Sequence, residues 1–128
     1  MHKRKTLLLA AVALLLIAVG AWVLVMRTIA QIKRMRTLDT MGQVTVALDR
    51  TLPDHGPIVG YNVTEQSKRL FPDLKMVDGK IADAWERPIK VSLEYASDGF
   101  HVRMVSAGKD GKFDTDDDIV NEGVIRYR

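Results

Sequence analysis

The sequence predicts an α+β fold in which one long N-terminal helix lies on a small antiparallel β-sheet. Three observations support this prediction. An uncharged apolar run of 21 residues, from Thr6 to Met26, is followed by a stretch with helical apolar spacing. Two later segments alternate apolar and polar residues on either side of an Asp-Gly pair, which is typical of a hairpin. Five aspartates then crowd between positions 110 and 118 and indicate a cation-binding loop.

The apolar run is long enough to cross the ~30 Å hydrocarbon layer of a membrane as a helix. The competing interpretation is a cleaved signal peptide, since Ala18-Val19-Gly20 and Val19-Gly20-Ala21 offer small residues at suitable spacing. The run continues through Met26, however, and exceeds the roughly 7–15 residues of a cleavable apolar region. We therefore expect residues 1–26 to form a basic N-terminus and an uncleaved transmembrane anchor, and residues 27–128 to form the globular domain.

The helix is expected to continue beyond the membrane to about residue 52, where Pro53 and Gly56 end it. Gly42 inside it is expected to mark a close contact, because glycine otherwise costs about 1 kcal/mol relative to alanine. At about 100° per residue one apolar stripe forms, and it should pack on the sheet of the same domain. The stripe comprises Leu38, Met41, Val44, Leu48 and Leu52.

Residues 56–79 are predicted to be a loop that contains one short helix, beginning at Thr64 and ending before Pro72. Two strands follow, over residues 89–95 and 100–104, because apolar and polar residues alternate in both. The turn Ser97-Asp98-Gly99 should join them, and residues 123–127 are expected to form a third strand.

The formal net charge of +3 does not indicate a nucleic-acid surface. Lys3, Arg4 and Lys5 account for it, and without them 16 basic residues balance 16 acidic ones. The basic cluster between Arg27 and Arg36 is expected to lie against anionic lipid head groups. The chain contains no cysteine, which excludes disulfides, thiol catalysis and cysteine zinc sites.

The acidic loop predicts a calcium site. Crowded carboxylates repel one another unless a cation or basic groups compensate them, and oxygen ligands without thiol or imidazole favour Ca²⁺ over transition metals. Gly108 and Gly111 would let the backbone turn tightly enough to direct its carbonyls to one point. The loop is not an EF-hand, because Thr115 and Asn121 stand where that motif has Gly and Glu. The alternative is a solvated acidic turn.

Three segments occur in a distinctive order: T-E-Q at 64–66, D-A-W-E-R-P-I at 83–89, and S-A-G-K-D-G with D-D-D-I between 106 and 119. This order resembles the globular domain of the major pseudopilins of type II secretion systems, the G-type subunit. That family has T-E-Q-G-L, D-P-W-G-N-P-Y and S-x-G-x-D-G…D-D-I. The resemblance covers roughly residues 38–121. Ser67 and Glu86 stand where the family has Gly.

The resemblance implies a ligand set for the metal. Side-chain oxygens would come from Asp110, Asp117 and Asp118, and backbone oxygens from Ala107 and Thr115. The two remaining aspartates of the loop, Asp114 and Asp116, would then lie outside the first coordination sphere or face solvent.

The N-terminus departs from the family pattern of a basic leader followed by G-F-T-L-x-E, which a dedicated peptidase cuts after the Gly. Aligned on T-L-L, Arg4 replaces the Gly, Lys5 the Phe and Leu9 the Glu. The resemblance is therefore to a divergent member that lacks the prepilin cleavage motif. Whether such a chain enters a filament stays open.

Catalysis is not expected. The three histidines, His2, His55 and His101, lie far apart in sequence, and no nucleophile elbow or Gly-rich phosphate loop is present. Two functions remain: a pseudopilin-like structural component of a type II secretion or pilus-related envelope machine, or a membrane-anchored calcium-dependent binding module that does not polymerise. The expected partners are the inner membrane and other pseudopilin or secretion-machine subunits, with no nucleic acid and no small-molecule substrate.

The orientation in the membrane is not decided by basic residues, because they flank the apolar run on both sides. A calcium loop suits the millimolar Ca²⁺ of an extracytoplasmic space, and the resemblance also implies an external domain. We expect a single-pass inner-membrane protein with a cytoplasmic N-terminus and a periplasmic globular domain.

Overall fold

A computed structural model describes residues 2–128 and has an α+β architecture, with one long helix and small antiparallel sheets. The chain divides into two compact units, residues 1–32 and 33–128. Helix α1 spans His2–Thr51 and therefore begins in the first unit and ends in the second. Its end at Thr51, directly before Leu52 and Pro53, confirms the predicted boundary near residue 52.

The first unit is helical throughout its described residues. By length and composition, α1 contains a stretch that is long and apolar enough to cross a membrane. Its apolar side chains are exposed on all sides: Leu7, Leu14 and Leu24 are 71%, 68% and 67% exposed. A helix that is apolar all round belongs in a protein core or in lipid. Since this stretch is unburied within residues 2–128, the predicted membrane-spanning segment fits the structure.

In the second unit, α1 buries Met41, Val44 and Leu48 as predicted, and the buried stripe differs from the prediction at its N-terminal end. Leu38 is 40% exposed, and Thr37 is fully buried in its place. The Thr37 hydroxyl accepts a hydrogen bond from the Ala84 amide at 3.1 Å. Apolar periodicity cannot reveal a buried polar contact of this kind, so Leu38 was predicted in the stripe instead of Thr37. The buried residues of α1 are Thr37, Met41, Val44, Ala47 and Leu48.

Helix α2 spans Val63–Leu70 and ends before Pro72, as predicted. Its N-cap is Asn62, not Thr64, because the Asn62 side chain accepts a hydrogen bond from the Glu65 amide at 3.1 Å. A two-stranded hairpin follows, with β1 over Met76–Val77 and β2 over Lys80–Ile81. This hairpin was not predicted, although the Asp-Gly pair at its turn was a usable signal.

Three longer strands form an antiparallel sheet in the order β3-β4-β5: β3 over Lys90–Ala96, β4 over Gly99–Ser106 and β5 over Ile119–Arg126. Ala96 pairs with Gly99, so the predicted turn is a two-residue hairpin loop. Strand β5 begins four positions earlier than predicted, because Ile119 pairs with Ser106 at the far end of the loop.

The core lies between α1 and the sheet. Met41, Val44 and Leu48 of the helix pack against side chains from β2 to β5 and the segment before β3. Each of these side chains is at least 95% buried, and burial of a large aliphatic side chain stabilises a fold by roughly 1.5–3 kcal/mol. The sheet side of the core comprises Ile81, Ile89, Val102, Met104 and Ile119.

Gly42 was expected to mark a close contact, and this prediction is wrong. A Cβ built there meets no atom within 4 Å. Gly42→Ala should therefore raise the free energy of unfolding by roughly 0.5–1 kcal/mol, because alanine is the better helix former and nothing obstructs its methyl group. Thermal melts of the full chain in detergent would measure this change.

Gly99→Ala is the matched control, and it should lower the free energy of unfolding. A Cβ at this position would lie 2.3 Å from the Ile125 carbonyl oxygen, so the β4–β5 pairing would have to shift. A lower melting temperature for Gly42→Ala than for the unmodified chain would contradict the helix packing described above.

Candidate metal centre

The predicted calcium loop joins β4 to β5 over residues 107–118. Its glycines allow two close approaches. A Cβ at Gly108 would lie 2.0 Å from the Asp117 carbonyl oxygen, and a Cβ at Gly111 would lie 2.6 Å from the Arg87 guanidinium carbon. Both glycines also have left-handed backbones, with φ of +66° and +70°. The tight turn at these glycines is confirmed, and the convergence of the loop carbonyls on one point stays a prediction.

The three aspartates predicted to bind metal each accept a hydrogen bond from a loop amide. Asp110 accepts from Lys112 at 2.9 Å. Asp117 accepts from the Asp110 amide at 3.2 Å, and Asp118 accepts from the Asp114 amide at 2.8 Å. The carboxylates therefore shape the loop backbone themselves. Each retains acceptor capacity, because one ionised aspartate offers about four lone-pair positions.

Thr115 lies among these carboxylates. Its hydroxyl is 3.4 Å from an Asp118 carboxylate oxygen, and its carbonyl accepts from the Asp118 amide at 3.1 Å. The pKa of Asp110 is held below its usual range, first by the hydrogen bond from the Lys112 amide and then by the Thr115 hydroxyl. The positive charges of Lys112 and Arg87 act in the same direction. These contacts favour the ionised form of Asp110, which is the form that binds a cation.

The remaining predicted positions differ in exposure. Asp114 and Asp116 are exposed, and Ala107 is buried at the start of the loop. Within residues 2–128, no three histidine or acidic side chains converge into a group that could hold a metal. The donors fit a hard cation chemically, since all are oxygens, but three carboxylates do not meet at one point. The calcium site stays a prediction.

A turn at residues 83–87 supports the loop. The Asp83 side chain is only 2% exposed, and one of its oxygens accepts from the amides of Trp85 and Arg87 at 2.9 and 3.0 Å. The other oxygen accepts from the Ser106 hydroxyl at 2.6 Å. Ser106 in turn accepts from the Gly108 amide at 3.2 Å. A buried carboxylate therefore links the turn to the first residues of the loop.

Arg87 provides the second link. Its Nη1 donates to the Gly108 carbonyl at 2.7 Å and to the Lys109 carbonyl at 3.4 Å. Both the amide and the carbonyl of Gly108 are therefore held, through Ser106 and Arg87. We name the set Asp83, Arg87, Ser106 and Gly108 the loop clasp. Sequence reasoning missed these roles, although it had singled out both segments that contribute to the clasp.

The same turn contains a strained position. Glu86 has a φ of +61°, a left-handed conformation that costs a residue with a Cβ roughly 1–2 kcal/mol. On α2, Ser67 is fully buried, and its hydroxyl has no hydrogen-bond partner within residues 2–128. A buried unpaired hydroxyl costs about 1–3 kcal/mol. The side chains of Glu86 and Ser67 therefore each lower the stability of the fold.

Comparisons with protein-family models, curated proteins and solved structures found no significant match to this chain. The function is therefore argued from the residues and their geometry.

The loop clasp predicts a measurable coupling between Asp83 and Ser106. Asp83→Ala should cost roughly 2–4 kcal/mol of unfolding free energy, and Ser106→Ala roughly 1–3 kcal/mol, because each leaves buried polar groups unpaired. The double variant should lose about 1–2 kcal/mol less than the sum of the two, since the hydrogen bond they share is lost only once. Denaturant unfolding of the four proteins gives the cycle.

Ser92→Ala is the matched control for this cycle, because the Ser92 hydroxyl is exposed and its hydrogen-bond partner among the described residues, the Arg103 carbonyl, is 3.5 Å away. It should change stability by no more than about 0.5 kcal/mol. Strict additivity of Asp83→Ala and Ser106→Ala would show that the clasp does not act as one unit.

Proposed function

We propose that this protein is a pseudopilin-like structural component of a type II secretion or pilus-related envelope machine, with a Ca²⁺-stabilised periplasmic domain. The observation that carries the proposal is the energetic cost at Glu86 and Ser67. Glu86 is left-handed and Ser67 buries an unpaired hydroxyl, and these are the two positions where this chain replaces a Gly of the pseudopilin pattern. Glycine adopts the left-handed conformation of Glu86 without strain, which supports a backbone shared with that family, and at Ser67 it would remove the unpaired hydroxyl at a helix-propensity cost of roughly 0.5–1 kcal/mol.

The loop clasp gives a second line of support. The resemblance rests on segments that are about twenty residues apart, D-A-W-E-R-P-I and S-A-G-K-D-G. In the fold these segments are joined by a hydrogen bond from the Ser106 hydroxyl to the Asp83 carboxylate, and both residues occur in the family pattern as well. The two motifs occur in the same order in this chain and in the pseudopilin pattern. Direct contact between them explains why they occur together.

Calcium would be held by the side chains of Asp110, Asp117 and Asp118 with backbone oxygens of Ala107 and Thr115. The ion would supply positive charge at a loop that is crowded with carboxylates. The loop clasp and the second glycine, Gly111, would hold the loop near this shape before the ion binds. A loop ordered in advance loses less conformational entropy on binding, which strengthens weak sites.

The membrane assignment rests on the apolar stretch of α1, with its exposed side chains. Basic residues on both sides would lie at the lipid head groups. With the N-terminus in the cytoplasm, the domain of residues 33–128 would lie in the periplasm, where millimolar Ca²⁺ suits a loop of this kind. The other partners would be pseudopilin or secretion-machine subunits, and we propose no enzymatic activity.

The alternative is a membrane-anchored calcium-dependent binding module that does not polymerise. Arg4 and Leu9 favour it, because they replace the Gly that is cut and the Glu whose charge is thought to register neighbouring subunits. The two functions differ in assembly and share the calcium loop.

Calcium should bind the full-length chain in detergent at up to millimolar concentration, and calorimetry would detect it. Since the ion binds only the folded loop, it should stabilise the protein by about 2.7 kcal/mol at one hundred times Kd. Asp117→Ala should abolish most of the rise in melting temperature caused by calcium.

Asp114→Ala is the matched control, because Asp114 is an exposed aspartate of the same loop that is not in the proposed ligand set. It should keep most of that rise. Equal losses from both variants would refute the ligand assignment, and absence of any calcium binding would refute the site.

The mature protein should keep its N-terminal segment and stay in the membrane. A neutral, uncut apolar span is stable in the bilayer and needs no charge partner from a neighbouring subunit. It should not form homopolymeric filaments alone, so that a role in a machine would be that of an accessory or initiating subunit. Mass spectrometry of the native N-terminus and electron microscopy of purified protein would test this. A mature chain beginning at Lys5 or Ala21, or regular filaments of the pure protein, would contradict it.

A further inference from the structure

A cavity of about 740 Å³ lies in the second unit, between α2, β2, the start of β3 and the acidic loop. Its volume falls within the roughly 300–1,000 Å³ that is typical of ligand sites. Much of its surface is apolar, and no residue that lines it is acidic. We name it the β3 groove. Its apolar side chains include Val63, Ile81, Ile89, Val91 and Phe113.

Three basic side chains also line the β3 groove: Lys80, Arg87 and Lys90. Within residues 2–128, none of them forms an ion pair. The Lys90 ammonium lies 3.7 Å from the centroid of the Phe113 ring, and Arg87 is held by the loop carbonyls while its charge also acts on Asp110. Lys80 is exposed on β2. All the charged side chains that line the groove are therefore basic, which complements an anionic ligand.

One wall of the groove is a strand edge. The residues from Ile89 to Ser92 all line it in succession, which fits the edge of a strand better than one of its faces. In residues 2–128, strand β3 pairs only with β4, so its other edge is free. The Ile89 amide donates to the Ile81 carbonyl on that side at 2.8 Å. Alternation along the strand places the next such amide, that of Val91, on the free edge.

We infer that the β3 groove binds an extended peptide segment of a partner protein in which acidic and apolar residues alternate. The segment would add as a strand to the free edge of β3, beginning at the Val91 amide. Its apolar side chains would enter the cavity, and its carboxylates would meet Lys80 and Lys90. An anionic lipid would match the charge and the apolar lining but leave the strand edge unpaired, so the peptide fits all three features. This inference depends neither on calcium nor on filament assembly.

The test uses the full-length chain in a nonionic detergent and a fluorescently labelled short peptide of alternating glutamate and valine. Anisotropy should show saturable binding, and the matching peptide of alternating lysine and valine should not bind. The double variant Lys80→Glu and Lys90→Glu should weaken binding by about tenfold or more, because two attractions become repulsions. Lys75→Glu is the control: Lys75 is exposed but does not line the groove, and its change should leave the affinity as it was.

Hydrogen exchange gives an independent readout of the strand edge. The Val91 amide should exchange more slowly when the glutamate–valine peptide is bound, and the protection should disappear in the double lysine variant. Failure of the peptide to bind at millimolar concentration, equal loss in Lys75→Glu, or binding that leaves the Val91 amide unprotected would overturn the inference. So would selective binding of nanodiscs that contain phosphatidylglycerol, if it depends on Lys80 and Lys90 while the peptide does not bind.

Discussion

The buried carboxylate of Asp83 is the group on which the rest of the globular unit depends. A carboxyl group removed from water destabilises a fold unless its oxygens are hydrogen-bonded. Here both oxygens are used, one by the amides of Trp85 and Arg87 and the other by the Ser106 hydroxyl. Satisfying them fixes the 83–87 turn, the end of β4 and the entry to the acidic loop in a single arrangement. The neighbouring Ala84 amide bonds to Thr37, so the same turn also fixes the position of α1.

Much of the fold could be predicted because it follows from apolar spacing. The long helix, its end near residue 52 and the β3–β4 hairpin all follow periodicity or turn chemistry that is visible in the chain. The failures share a different cause. Thr37 displaced Leu38 from the buried stripe because a long-range hydrogen bond outweighed hydrophobicity, and β5 started early because pairing with Ser106 outweighed the low strand propensity of Asn121 and Glu122. Tertiary contacts of this kind leave no local signal.

The candidate site could be predicted only in part, because its composition is visible in the sequence and its geometry is not. Its composition, five aspartates with two glycines, is visible in the sequence and predicts the cation chemistry. The orientation of each carboxylate depends on which loop amides need acceptors, and the sequence does not give this. Asp110, Asp117 and Asp118 each serve an amide of the loop, so the group that would bind a metal also holds the backbone in shape. Replacing one of them therefore changes both the charge and the geometry, which is why Asp114→Ala is needed as a comparison.

Arg87 connects the acidic loop with the β3 groove. Its guanidinium lines the groove, donates to the Gly108 carbonyl and lies where a Cβ at Gly111 would come within 2.6 Å. An asparagine, which the pseudopilin pattern has at this position, is too short to fill both roles and carries no positive charge. Gly111 of the loop also lines the groove, so the loop and the groove share Arg87 and Gly111. The acidic loop and the β3 groove are thus neighbouring parts of the domain. The turn at residues 83–87 joins them, because Arg87 contacts the loop and lines the groove.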